Sequence, residues 1–176
     1  MEEMITNSSE ETRDLGKKIA GDILKGSDPS IGIRSLIVCL SGDLGAGKTT
    51  FTQGLLEGLG AEGPYTSPTF LIIKQYRVSQ IANRKSHIEN SIHDPRSTIK
   101  DIYHIDTYRV GADDILDLGW EEIVADPQNV VIIEWPERIK EIIPESAIWI
   151  NFEWMDQSKR KITFLKLETM SKRYKL

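Results

Sequence analysis

No stretch constrains the fold of this chain more than Gly42-Asp43-Leu44-Gly45-Ala46-Gly47-Lys48-Thr49, a complete G-x-x-x-x-G-K-T phosphate-binding loop. Its glycines allow dihedrals that other residues resist, so successive backbone N–H groups can turn inward around phosphate oxygens. In such a loop Lys48 supplies a point charge to the outer phosphates and Thr49 a hydroxyl for Mg²⁺. The helix that follows adds the positive end of its dipole. The flanking sequence agrees. Leu36-Ile37-Val38-Cys39-Leu40 is an unbroken apolar run, as expected of a parallel strand buried on both faces. Beyond the loop, Phe51, Leu55, Leu56 and Leu59 recur near helical spacing, and Gly60 marks a stop. Strand, loop and helix in that order predict a nucleoside triphosphate site.

Length and charge narrow the setting. The 176 residues suit one domain spanning 1–176 with a proper core. A formal charge of −5 argues against a chain that grips nucleic acid by itself. The only cysteine, Cys39, falls inside the apolar run, which excludes a disulfide framework and a cysteine metal site. The start, Met1 to Asp14, is acidic and polar, unlike a signal or transit peptide. No run is long enough to span a bilayer. The expectation is a soluble cytoplasmic protein with no membrane partner, monomeric when isolated.

Further along, Ser8-Ser9-Glu10-Glu11 has capping-box spacing, and Leu15, Ile19 and Ile23 continue it as an amphipathic helix. Gly26 to Gly32 is a turn-rich break, Gly60 to Pro68 a loop, and Phe70 to Val78 a strand. The polar stretch 79–100, with His87, His93 and Pro95, reads as a long hairpin insertion. Histidines six apart do not share a helix face, so they predict solvated loop residues rather than a metal site. Asp101 to Arg109 reads as a strand, Asp113 to Leu118 as a short helix, Asn129 to Glu134 as a second buried strand, and Pro136 to Ile143 as a helix. Ala147 to Trp154 and Lys161 to Leu167 alternate in hydropathy and predict an antiparallel hairpin. The basic tail, Ser171 to Lys175, reads as a solvated end.

A phosphate loop needs acids across from it to hold a metal and orient the attacking group, and ligands in open α/β sheets collect at the carboxyl ends of strands. Asp106 closes Ile-Tyr-His-Ile and Glu134 closes Val-Val-Ile-Ile. On pattern alone the site reading leads, with a strand-end cap or turn residue the alternative for Asp106 and a surface salt bridge the alternative for Glu134. Thr66-Ser67-Pro68-Thr69 stands where a nucleotide-sensing switch would, though its spacing is also that of a simple turn.

Several of these segments together resemble one family. Gly42 to Thr50, Ser67-Pro68-Thr69-Phe70, His104-Ile105-Asp106-Thr107-Tyr108-Arg109, Asp117-Leu118-Gly119 and Ile133-Glu134-Trp135-Pro136-Glu137 are similar to the TsaE (YjeE) family, in that order, and Thr12 to Ala20 resembles its first helix. The likeness runs from about Glu11 to Leu167. It implies an α/β, P-loop NTPase-like three-layer sandwich whose central sheet is mainly parallel with antiparallel flanking strands. It implies a Mg²⁺-dependent ATPase required for threonylcarbamoyladenosine in tRNAs that read codons beginning with A, at the adenosine following the anticodon. In that family TsaD transfers the threonylcarbamoyl group, TsaB is a second partner, TsaC makes the adenylate intermediate, and tRNA is reached indirectly through the complex.

Carried over motif by motif, the resemblance makes Lys48, Asp106 and Glu134 catalytic and assigns Thr49, Asp106 and Glu134 to Mg²⁺. Its nucleotide-binding set is Thr12, Gly42, Asp43, Leu44, Gly45, Ala46, Gly47, Lys48, Thr49, Thr50, Thr69 and Trp135. Thr12 would lie on the adenine side and Thr69 near the γ-phosphate. Trp135 reads either as a residue near the nucleotide or partner surface or as a core tryptophan. Which of Asp106 and Glu134 is the base and which the metal ligand stays open. Arg109 and Arg138 are the nearby candidates for an arginine finger. Two departures stand out: the family joins its strands by a short turn where 79–100 intervenes here, and its Phe or Leu before Tyr108 is Thr107, outside the expected charge centre. A small-molecule kinase using 79–100 as a lid is the alternative, a non-hydrolytic assembly module a third reading. A GTPase is disfavoured because no [NT]-K-x-D segment follows.

Overall fold

The computed structural model describes residues 2–25, 35–78 and 99–165, with Lys25 placed by its backbone only. The expected features at Gly26 to Gly32, the insertion from 79 to 98 and the basic tail lie outside the described residues. Among the described residues seven strands form one sheet in the order β1-β7-β6-β2-β5-β4-β3. They are β1 (Glu2–Thr6), β2 (Leu36–Gly42), β3 (Ile73–Arg77), β4 (Asp101–Asp106), β5 (Asn129–Glu134), β6 (Ile148–Trp154) and β7 (Arg160–Phe164). The four central strands β6, β2, β5 and β4 run parallel. At the flanks β3 pairs antiparallel with β4, β7 with β6, and β1 with β7. The mainly parallel α/β sheet with antiparallel flanks is the one expected.

Alternation along the strands divides the core in two. On one face Val38, Leu40, Val130, Ile132 and Ile102 pack beneath α1 (Ser9–Lys25) and α2 (Lys48–Gly58), through Leu15, Ile19, Phe51 and Leu55. On the other, Ile37, Cys39, Val131, Ile133 and Ile105 pack against Ile115 of α3 (Ala112–Asp117), Trp120 and Ile123 of α4 (Trp120–Ala125), and Ile139 of a 3₁₀ helix (Pro136–Ile142). Central strands covered on both faces carry near-continuous apolar runs, as Leu36 to Leu40 in β2 and Val130 to Ile133 in β5 do. Helix α1 approaches α2 closely because Gly54 offers no side chain: a Cβ there would run into the Arg13 carbonyl. Half of the expected capping box forms: Ser8 Oγ accepts from Glu11 N at 3.0 Å, while the Glu11 carboxylate accepts from Asn7 N at 2.8 Å, one residue ahead of the cap.

The structure moves one strand boundary, refines one helix and adds two elements for which no expectation was stated. The polar start contains β1, an edge strand whose alternating exposed and half-buried positions carry glutamates. The strand expected from Phe70 begins at Ile73, because Leu71 N and Ile72 N both donate to Pro68 O and Ile72 takes φ 65°. Trp120 to Ala125 is an additional helix, started by Gly119 at φ 85°. The helix expected after Pro136 forms as a 3₁₀ helix, broken at Ile139.

Candidate nucleotide-binding site

At the carboxyl ends of β2, β5 and β4 the chain makes a cavity of about 380 Å³. The loop between β2 and α2 forms one wall, with Gly42, Gly45 and Gly47 at φ 123°, 77° and 102°. Those left-handed values fit glycine alone at low cost. At Gly42 a Cβ would also meet the Phe152 carbonyl of the neighbouring strand. Glu134 and Asp106 are direct neighbours in the register of β5 and β4, and Glu134 pairs with Leu40 of β2. Strand alternation turns both acids toward the face covered by α2. Thus Lys48, Thr49, Asp106 and Glu134, distant in sequence, line one cavity.

The two acids are held differently. Glu134 is 3 % exposed; its Oε2 accepts from Thr49 Oγ1 at 2.9 Å, and its Oε1 lies 2.9 Å from His104 Nε2. Asp106, 6 % exposed, accepts from Thr69 Oγ1 at 2.7 Å and from Tyr108 N at 3.0 Å. Thr69 Oγ1 in turn lies 2.7 Å from Ser67 Oγ, and Asp106 N donates to Ile72 O at 2.9 Å. The Ser67 to Ile72 segment is therefore fastened to Asp106 by side chain and backbone.

Lys48 donates to the carbonyls of Gly42 and Asp43, and its Nζ lies 3.8 Å from the centroid of the Trp135 ring. Burial pushes the ammonium below its ordinary range, while the charges of Glu134, Glu137, Asp106 and Asp43 oppose that shift. Trp135 takes φ 63°, a conformation unusual for a bulky residue, directly after Glu134. Thr107 holds that bend by donating to the carbonyls of Glu134 and Trp135. Tyr108 packs against the Trp135 ring at 5.0 Å between centroids.

Of the residues expected to meet a nucleotide, Leu44, Gly45, Gly47, Lys48, Thr49, Thr50, Thr69 and Trp135 line the cavity. Trp135 is a half-buried wall rather than a core residue. Gly42 and Asp43 act through their carbonyls on Lys48, and Ala46 is packed into the core. Thr12 is buried behind the loop, its hydroxyl bonded to Thr6 Oγ1 at 2.7 Å and Ser8 O at 3.0 Å. Arg109 lines the cavity, with its guanidinium 5.3 Å from the Phe70 ring centroid, whereas Arg138 donates to Tyr108 O at 2.8 Å and is not part of the lining.

Sequence reasoning gave no role to His104, Thr107, Tyr108 or Arg160. The first had a signal, since His104 and Asp106 alternate onto one strand face. Arg160 had none: from β7 its Nε donates to Gly45 O at 3.1 Å, bracing the loop from far along the chain.

A model of the family described as "Threonylcarbamoyl adenosine biosynthesis protein TsaE" matches residues 6–162. The chain belongs to the TsaE family. It is 34% identical over 159 residues to the TsaE protein of Bacillus subtilis, covering 90% of this chain and 82% of that protein. With TsaE of Haemophilus influenzae it shares 31% identity over 145 residues, 82% of this chain and 77% of the relative. The crystal structure of YdiB from Bacillus subtilis superimposes with a TM-score of 0.58 at 27% identity, covering 93% of this chain and 83% of that one. Among the described residues no helix is long and apolar enough to cross a membrane.

Proposed function

We propose that this TsaE-family chain is a Mg²⁺-dependent ATPase, slow alone, whose turnover serves threonylcarbamoyladenosine formation on tRNA together with TsaD and TsaB. The convergence of Lys48, Thr49, Asp106 and Glu134 on one cavity carries the reading. The family description supports the modified nucleoside, and the names of the relatives support tRNA as its carrier.

The donor set suits Mg²⁺. Among the described residues no three His, Cys, Asp or Glu side chains gather into a site that would hold a metal unaided. One hydroxyl and one or two carboxylates instead match a hard cation that takes its remaining ligands from phosphates and water. When bound, Mg²⁺ neutralises charge on the β- and γ-phosphates.

The division of labour follows from the two environments. Thr49 and Glu134, locked together, hold the cation. Asp106, tied to the Ser67 to Ile72 segment, orients the attacking water and accepts its proton. Lys48 leaves the loop carbonyls for the phosphates, and Trp135 walls the pocket. Arg109 is the cationic side chain placed to meet charge developing on the γ-phosphate. A partner that repositions Phe70 would move Arg109 and Thr69 together, which is how docking would raise the rate.

Phosphate release should be slow for the isolated chain and rise when TsaD and TsaB are added. Full-speed hydrolysis that those partners leave unchanged would refute the reading, and transfer of label from ATP to a metabolite would favour a kinase.

A further inference from the structure

We propose that His104 is a positioning residue that aims the Glu134 carboxylate at Thr49. The inference rests on the ATPase reading above and names a residue that reading does not use. His104 faces Ile132 in the register of β4 and β5, so its ring reaches Glu134 across the diagonal of the strand pair. Both side chains are removed from solvent, at 1 % and 3 % exposure.

The carboxylate of Glu134 is divided between two partners. Its Oε2 accepts from Thr49 at 2.9 Å and its Oε1 sits 2.9 Å from His104 Nε2. The last torsion of a glutamate is soft, so one bond alone leaves the carboxylate plane free to turn. Two bonds on opposite oxygens fix it. Without the imidazole, Oε1 would be a buried acceptor with no partner, a costly state that the side chain relieves by rotating away from Thr49.

The identity of the donor matters. A carboxylate only accepts, so the shared proton is on Nε2. His104 Nδ1 has no hydrogen-bond partner among the described residues, so Glu134 is the ring's polar contact. The Nε2–H therefore does the aiming. Outer partners of this kind govern metal affinity in many sites.

The test separates metal from nucleotide. ATP is titrated into the full chain in EDTA, and Mg²⁺ is then titrated into the ATP complex by calorimetry. His104→Leu should bind ATP without metal as the parent does, while its Mg²⁺ affinity falls by about 10–100-fold. His104→Gln, which presents an N–H near the same place, should recover most of that loss. Unchanged Mg²⁺ affinity in His104→Leu overturns the proposal, as does equal impairment by Leu and Gln. A long-range ¹H–¹⁵N spectrum of the parent chain tests it without any variant. A proton on Nε2 is expected, and an Nε2 without one overturns the proposal. Failure of the parent to bind ATP at all would instead remove the ATPase reading, and this inference with it.

Discussion

Glu134 and Asp106 are neighbours on adjacent strands, yet one belongs to the frame of the molecule and the other to its rim. Glu134 ends a strand buried between β2 and β4, and its partners, Thr49 and His104, come from the phosphate loop's helix and the sheet. Asp106 ends the next strand out, and its side-chain partner Thr69 comes from a loop whose Phe70 and Leu71 are 86 % and 68 % exposed. Equal chemistry in unequal settings allows unequal roles. A carboxylate held by the sheet and by the phosphate loop's helix suits a constant metal ligand, whereas one whose side-chain partner sits on an exposed loop suits a step that waits for an outside signal.

Four measurements probe that contrast. Asp106→Asn should lower ATP hydrolysis by about 10²–10⁴-fold, the usual worth of a general base, with Mg²⁺-ATP affinity retained in calorimetry. If affinity collapses too, the two acids share the metal and the contrast fails. Glu134→Gln should do the reverse first, weakening Mg²⁺ by at least about 10–100-fold while metal-free ATP binding persists. Next in size is Thr69→Val, which keeps the shape but removes the bond to Asp106. It should change partner-stimulated turnover by about tenfold, the value of a charge-assisted hydrogen bond near 1.5 kcal/mol, and leave Mg²⁺ affinity alone. An effect on Mg²⁺ equal to that of Glu134→Gln would join the two regions into one.

The smallest effect concerns Lys48, whose ammonium burial disfavours. Its folded value lies below its unfolded one, so between the two the unfolded chain binds more protons, and stability rises with pH up to about 10.5. Lys48→Met should lack that rise in chemical denaturation at successive alkaline pH values. A parallel dependence in both chains would assign it elsewhere.

The frame was far more legible than the rim. Leu36 to Leu40 and Asn129 to Glu134 announce themselves because strands covered on both faces must be apolar, and the glycines of the loop because positive φ demands them. What escaped depended on contacts between distant residues. The edge strand β1 is specified by pairing with β7 rather than by its own glutamates. The start of β3 is set by a turn at Pro68 to Ile72 that brings Ile72 to φ 65° and Ile72 O to Asp106 N. Thr107 looked incidental beside the charged motif, yet it is fully buried and pins the backbone on which Glu134 and Trp135 ride. His104 was visible as one letter of a motif, but its use required knowing that β4 lies beside β5.

The bend at Trp135 has a practical consequence. Of the four tryptophans in the chain, only this one lines the cavity, with its ring against the Lys48 ammonium that the proposed function sends to a phosphate. The expected outcome is a change in tryptophan emission when Mg²⁺-ATP is added to the unlabelled protein, absent in Trp135→Phe; an equal change in both chains would assign the signal to another tryptophan.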